Sequence, residues 1–191
     1  MLTLWAAAVA EAQGQPWESA LTFGQRIAAM FAQSKGRSLG VFEPPSEQSA
    51  EQAARRARER AGTFPVAVFG TSVLARADPS NSGSGRALAA AGAGVASPAA
   101  AAAYLRRAFG ERLPAATAAL RRLAAAVPAA ELQRSGVAYS MYCRIRPEVP
   151  LGIAGWGARG AFDLAAVDAL AAQLENEKEK GEGGEGGAAA A

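Results

Sequence analysis

The sequence has no histidine, a single cysteine (Cys143), and three lysines, of which only Lys35 lies outside the final 17 residues. Each scarcity excludes something. Without imidazole there is no Ser-His-Asp triad and no Cys-His dyad, and one thiol cannot form an internal disulfide or a structural zinc site. Carboxylate, lysine, hydroxyl or backbone chemistry remains, or no chemistry at all. No metal and no cofactor are expected. No apolar run reaches the 18 or more residues of a membrane span without glycine, proline or charge. MLTLWAAAVAEA is apolar but lacks the basic leader of a signal peptide, and the first cation is Arg26, preceded by Glu11 and Glu18. The chain therefore reads as soluble and intracellular, cytoplasmic or nuclear, with Cys143 a reduced thiol.

What is present is alanine, glycine and arginine. Half of the 191 residues are apolar, enough for one continuous core. Alanine buries little area, so Trp17, Leu21, Phe23, Ile27, Phe31, Phe64, Val66, Phe69, Tyr104, Phe109, Trp156 and Phe162 are expected to supply much of the hydrophobic stabilisation, at roughly 25 cal/mol per Å². The net charge of +3 is uneven: residues 1–174 hold 18 cations against 12 acids, whereas 175–191 hold two lysines against five glutamates. A mildly basic body thus precedes an acidic tail.

Apolar spacing predicts a helix from Trp17 to about Gly36, a short strand at 39–42 ending at Pro44-Pro45, and a helix over 47–61 opened by the capping box Ser49-Ala50-Glu51-Gln52. A central strand follows at 64–70. Strand, helix and strand in about 30 residues predict a parallel βαβ unit. Residues 71–97, with Asp78-Pro79 and clustered serine and glycine, predict a long exposed loop. Ser97-Pro98 opens a helix to Phe109 and Pro114 another to about Val127. Residues 135–147 alternate with period two, predicting a half-wet strand, and Phe162, Leu164, Val167, Leu170 and Leu174 mark a last helix. The expected fold is α/β: an N-terminal segment (1–16), a single compact domain (17–174) with a βαβ start and a mixed sheet packed by about five helices, and a disordered low-complexity tail (175–191).

Four features compete as functional sites. YCRIRPEVPLGIAGWGARG (142–160) combines Tyr142, Arg144, Arg146, Trp156 and Arg159, a mixture suited to an interface hot spot or to stacking on bases; the alternative is that Trp156 plugs the core and the arginines pair with Glu148 or Asp163. The loop residues Ser82, Gly83, Ser84, Gly85 and Arg86 offer a weak anion nest without the spacing of a phosphate-binding motif. RRARER (55–60), Arg106-Arg107 and Arg121-Arg122 would form a basic patch if they converged. Glu43 and Asp78, at strand ends, are the carboxylates placed for acid and base work. The inventory favours a non-enzymatic interaction subunit or adaptor whose partner is another protein, with a nucleic-acid-binding module or an enzyme taking a phosphorylated ligand at 78–86 as alternatives.

Overall fold

The computed structural model describes residues 1–41, 50–80, 85–147 and 163–182. Helices and a four-stranded antiparallel sheet occur together, so the mixed character of the fold is as expected. The helices are α1 (Leu2–Ala12), α2 (Trp17–Ser38), α3 (Ala50–Arg60), α4 (Pro98–Phe109), α5 (Leu113–Ala126), α6 (Ala129–Leu132), α7 (Val137–Ile145) and α8 (Leu164–Glu182), with one 3₁₀ turn over Gly110–Arg112. The strands β1 (Phe64–Val68), β2 (Thr71–Ala77), β3 (Ala87–Ala91) and β4 (Gly94–Val95) pair in chain order as a meander.

The hydrophobic centre is α1. Every residue from Thr3 to Ala10 is buried, and Trp5 is fully enclosed with its indole Nε1 donating to the Ala138 carbonyl at 2.8 Å. Residues 1–16 are therefore a central part of the body rather than a segment preceding it. Small residues make this possible. At the crossing of α1 and α2, a Cβ added to Gly24 would lie inside contact with the Thr3 carbonyl oxygen and 2.9 Å from the Ala7 nitrogen. Only glycine allows so close an approach. From this centre the packing runs outward: α1 touches α2, α5 and α7; α2 continues to β3 and α4, and α5 carries α8.

The sheet differs from expectation in hand and in extent. Leu39 caps α2, and Gly40 and Val41 follow it as a turn and bend; Phe42 lies outside the described residues. The 64–70 stretch holds β1 and then turns back through Phe69 and Gly70 into β2, with Val66 opposite Val73 and Val68 opposite Thr71. β1 is paired with β2 alone and antiparallel, and 39–41 is not a strand, so no parallel βαβ unit is seen among the described residues. The two-residue turn has positive φ at both centres, 57° at Phe69 and 67° at Gly70, the combination that matches hairpin twist. A phenylalanine there hides the signal, because asparagine or aspartate is the usual first residue. The expected loop at 71–97 contains β2, β3 and β4. Val73 and Ala75 are buried while Ser72 and Leu74 are exposed, a clear alternation whose alanines carry little β propensity. Where the short β4 ladder ends, the Thr22 hydroxyl accepts the Ala89 N–H at 3.0 Å and donates to the Ser19 carbonyl. β1 is an edge strand containing Pro65, and beyond it the Phe69 N–H is bound by Gln13 Oε1 at 3.1 Å.

The predicted strand at 135–147 is the helix α7. Its buried positions Ala138, Met141 and Ile145 are spaced three and four apart. Met141 and Ile145 also satisfy a period of two, which is why alternation misleads here. Helices at 98–109 and 113–126 match their start signals: Ser97 Oγ accepts the Ala100 N–H, with Pro98 in the first turn. Asp163 caps α8 through the Ala166 N–H, and α8 runs on through 175–182, part of the stretch expected to lack structure. Residues 183–191 lie outside the described residues. Of the expected core, Phe23 and Ile27 are fully buried, whereas Phe64 and Tyr104 are exposed. No helix among the described residues is long and apolar enough to cross a membrane.

Candidate functional site

The opening part of the 142–160 motif sits on α7, which the buried indole of Trp5 ties to α1. Gly136 enters the helix in the left-handed conformation. Around α7 four aromatics from three elements meet. Phe31 of α2 stacks on Tyr139 with ring centres 4.5 Å apart and parallel planes, and meets Phe69 of the hairpin turn edge-on at 6.0 Å. Tyr139 continues to Tyr142 at 5.9 Å. The row runs from a buried end, Phe69, to a half-buried one, Tyr142. Burial holds the Tyr142 phenol above its ordinary pKa, against the opposing pull of the Arg146 charge. At neutral pH it is therefore a neutral donor and acceptor.

Arg144, Arg146 and Cys143 are exposed beside it. Neither arginine forms an ion pair among the described residues, and Asp163, one of their expected partners, instead caps α8. Trp156 and Arg159 lie outside the described residues, as does Glu148. Tyr142 and Arg144 lie on α7, about 200° apart around its axis, and Arg146 follows as its extended C-terminal cap, so the single face that a strand would give these three residues is split.

The 78–86 loop has a different arrangement. Asp78 is 2 % exposed and accepts the Ser80 N–H at 2.9 Å and the Arg86 Nε at 2.6 Å, with Arg86 Nη2 on the same carboxylate. These hydrogen bonds, the Ser80 amide first, hold its pKa below the ordinary carboxylate value. Glu18 approaches Arg86 at 3.8 Å. The guanidinium expected to serve an anion is already held by a buried acid, and Asp78 anchors a turn. Gly85 is exposed; Ser82, Gly83, Ser84 and Glu43 lie outside the described residues. Among the described residues no three histidine, cysteine, aspartate or glutamate side chains gather as a metal-ligand group.

The arginine pairs divide between elements. Arg121 grips Glu11 of α1 through two hydrogen bonds, 2.5 and 2.7 Å, and lies 4.1 Å over the Trp17 ring. Arg122 grips Glu175 of α8 in the same two-pronged manner, and the pair raises the arginine's pKa and lowers the glutamate's. Both serve to join helices. Arg56, Arg58 and Arg60 remain exposed on α3, where Arg55 pairs with Glu59. Between α2, α4 and α5 lies a groove of about 410 Å³, lined by Trp17, Leu21, Leu105, Arg106 and Leu113. Its residues come from three distant stretches, and nothing local marks their meeting.

Comparison with protein-family models, with curated proteins and with solved structures finds no match for this chain.

Proposed function

We propose that the protein is a non-enzymatic interaction subunit of a larger intracellular assembly, cytoplasmic or nuclear, that binds another protein through the exposed side of α7. The supporting observation is the aromatic row ending at the half-buried Tyr142, with Arg146, whose charge acts on the Tyr142 phenol, exposed at the end of α7 and Arg144 exposed on another side of the same helix. Tyrosine and arginine are enriched at hot spots because each presents a large, adaptable contact surface with polar reach. Behind Tyr142, stacked rings and the Trp5 hydrogen bond give a rigid backing, which lowers the ordering cost of association.

Affinity capture from cells that make the protein, comparing wild type with Tyr142→Ala and with the double reversal Arg144→Glu/Arg146→Glu, tests this. Arg144 and Arg146 are exposed and unpaired among the described residues, so the double variant should keep the wild-type unfolding midpoint. The expected result is a partner recovered by wild type and lost from both variants. In the complex, maleimide modification of Cys143 should slow by about tenfold or more, since hot-spot surroundings exclude solvent. Identical partners with all three proteins, and no protection of Cys143, would remove the proposal.

A second function, nucleic-acid binding, is supported by α3, on which Arg56, Arg58 and Arg60 are exposed without an ion pair among the described residues. Phosphate contacts of this kind weaken steeply with salt. A gel shift with single-stranded and duplex nucleic acid should show a complex at low salt that disappears at moderate salt and with the three arginines changed to glutamine. No complex at low salt rules it out.

A further inference from the structure

The groove between α2, α4 and α5 carries information about a second contact, independent of α7. Its floor is apolar: Leu21 and Leu105 are 5 % and 1 % exposed, and Leu113 is half-buried at its side. One wall is fixed. Trp17 lies under the Arg121 guanidinium, and Glu11 holds that guanidinium from α1 by two hydrogen bonds, so the indole is clamped between helices. The opposite rim is Arg106, exposed and without an ion pair among the described residues. Arg107 and Arg112 are exposed nearby in the chain, at the end of α4 and in the 3₁₀ turn, and Glu111 is the one acid of this corner.

An apolar trough with an uncompensated cationic rim selects its occupant by charge. A basic or neutral apolar segment would leave Arg106 without a counter-charge, whereas carboxylates flanking apolar anchors would complete both halves of the site. A volume of about 410 Å³ has room for a pair of large apolar side chains. Two such anchors one turn apart on one face are what an amphipathic helix presents. We propose that this groove docks an amphipathic helix of a partner protein whose apolar anchors are flanked by glutamate or aspartate.

The test uses the full chain and two synthetic helical peptides of about four turns. Each carries leucine and phenylalanine one turn apart on an alanine and glutamine background; one has glutamates beside the anchors, the other lysines. Binding is read by fluorescence anisotropy at low salt, with amide chemical shifts reporting the location. The glutamate peptide should bind about tenfold or more tightly than the lysine peptide, a difference within reach of one close charge pair. Ala118→Trp, which fills the groove, and Arg106→Glu, which reverses its rim, should each weaken the glutamate peptide by a similar factor. Arg106→Glu should in addition gain affinity for the lysine peptide, an outcome that does not depend on how Ala118→Trp folds. Absence of binding by either peptide, equal binding of both, or binding indifferent to Arg106→Glu overturns the proposal. So does a fatty-acid probe, below its micelle concentration, shifting the groove amides while the peptides do not, since the groove would then take a small amphiphile.

Discussion

Gly24 has no room for a methyl group, because the Thr3 carbonyl and the Ala7 backbone of α1 occupy the place it would need. Backbone atoms cannot swing aside as a side chain can. Gly24→Ala should therefore destabilise the protein by about 1–3 kcal/mol, measured as a lower urea midpoint at unchanged slope. Asp78 gives the pH dependence. Its pKa is depressed in the folded state, so below the unfolded value near 3.8 the unfolded chain binds more protons. Stability from this group is present above that value, and is lost as pH falls through the folded pKa. Asp78→Asn should lower the urea midpoint at neutral pH, and the gap from wild type should close on acidification below pH 3.8; a gap that persists there would show that the charge is not the cause. At this scale the sequence is most readable in what it excludes. The missing imidazole and solitary thiol remove whole reaction classes by counting alone, whereas nothing local marks Trp5, which sits among alanines and whose partner Ala138 is 133 positions away.

Among the elements, helices with marked starts were legible and strands without bulky residues were not. Ser97-Pro98 and Asp163 announce α4 and α8 through local hydrogen bonds that depend on neighbours in sequence. The strand β3 reads Ala-Leu-Ala-Ala-Ala, and only its ladder to β2 and the Thr22 hydroxyl make it extended. The hairpin turn was obscured by a phenylalanine in the left-handed region, beside a Gly70 whose added Cβ would approach the Arg134 carbonyl oxygen to 2.6 Å. Gly70→Ala faces both a strained φ and that clash, so a loss of roughly 1–3 kcal/mol is expected, visible as faster amide exchange across β1 and β2. In α8 the Arg122 grip on Glu175 is exposed and so contributes little to global stability. Arg122→Glu should leave the unfolding midpoint nearly unchanged while raising exchange in Glu175 to Lys180.

For the whole molecule, the position of α1 decides how the parts depend on one another. It touches α2, α5 and α7, while Trp5 and Glu11 fasten it to α7 and α5. A chain lacking residues 1–12 should show no cooperative thermal transition by circular dichroism, because both halves of the body lose their common surface. The candidate surface is legible in part. Tyr142, Arg144 and Arg146 stand out by residue type, while the helix that carries the first two, the aromatic row at Tyr142 and the groove at Trp17 arise from contacts between distant stretches.

The rim of the hairpin has its own consequence. With Val68 and Thr71 closing the turn, Pro65 and Ala67 send their main-chain groups sideways out of the sheet. Proline has nothing to donate, and the next amide along, at Phe69, is already taken by Gln13. An extended strand arriving from another molecule would find one donor where it needs a regular series. Assembly through this margin is thereby discouraged.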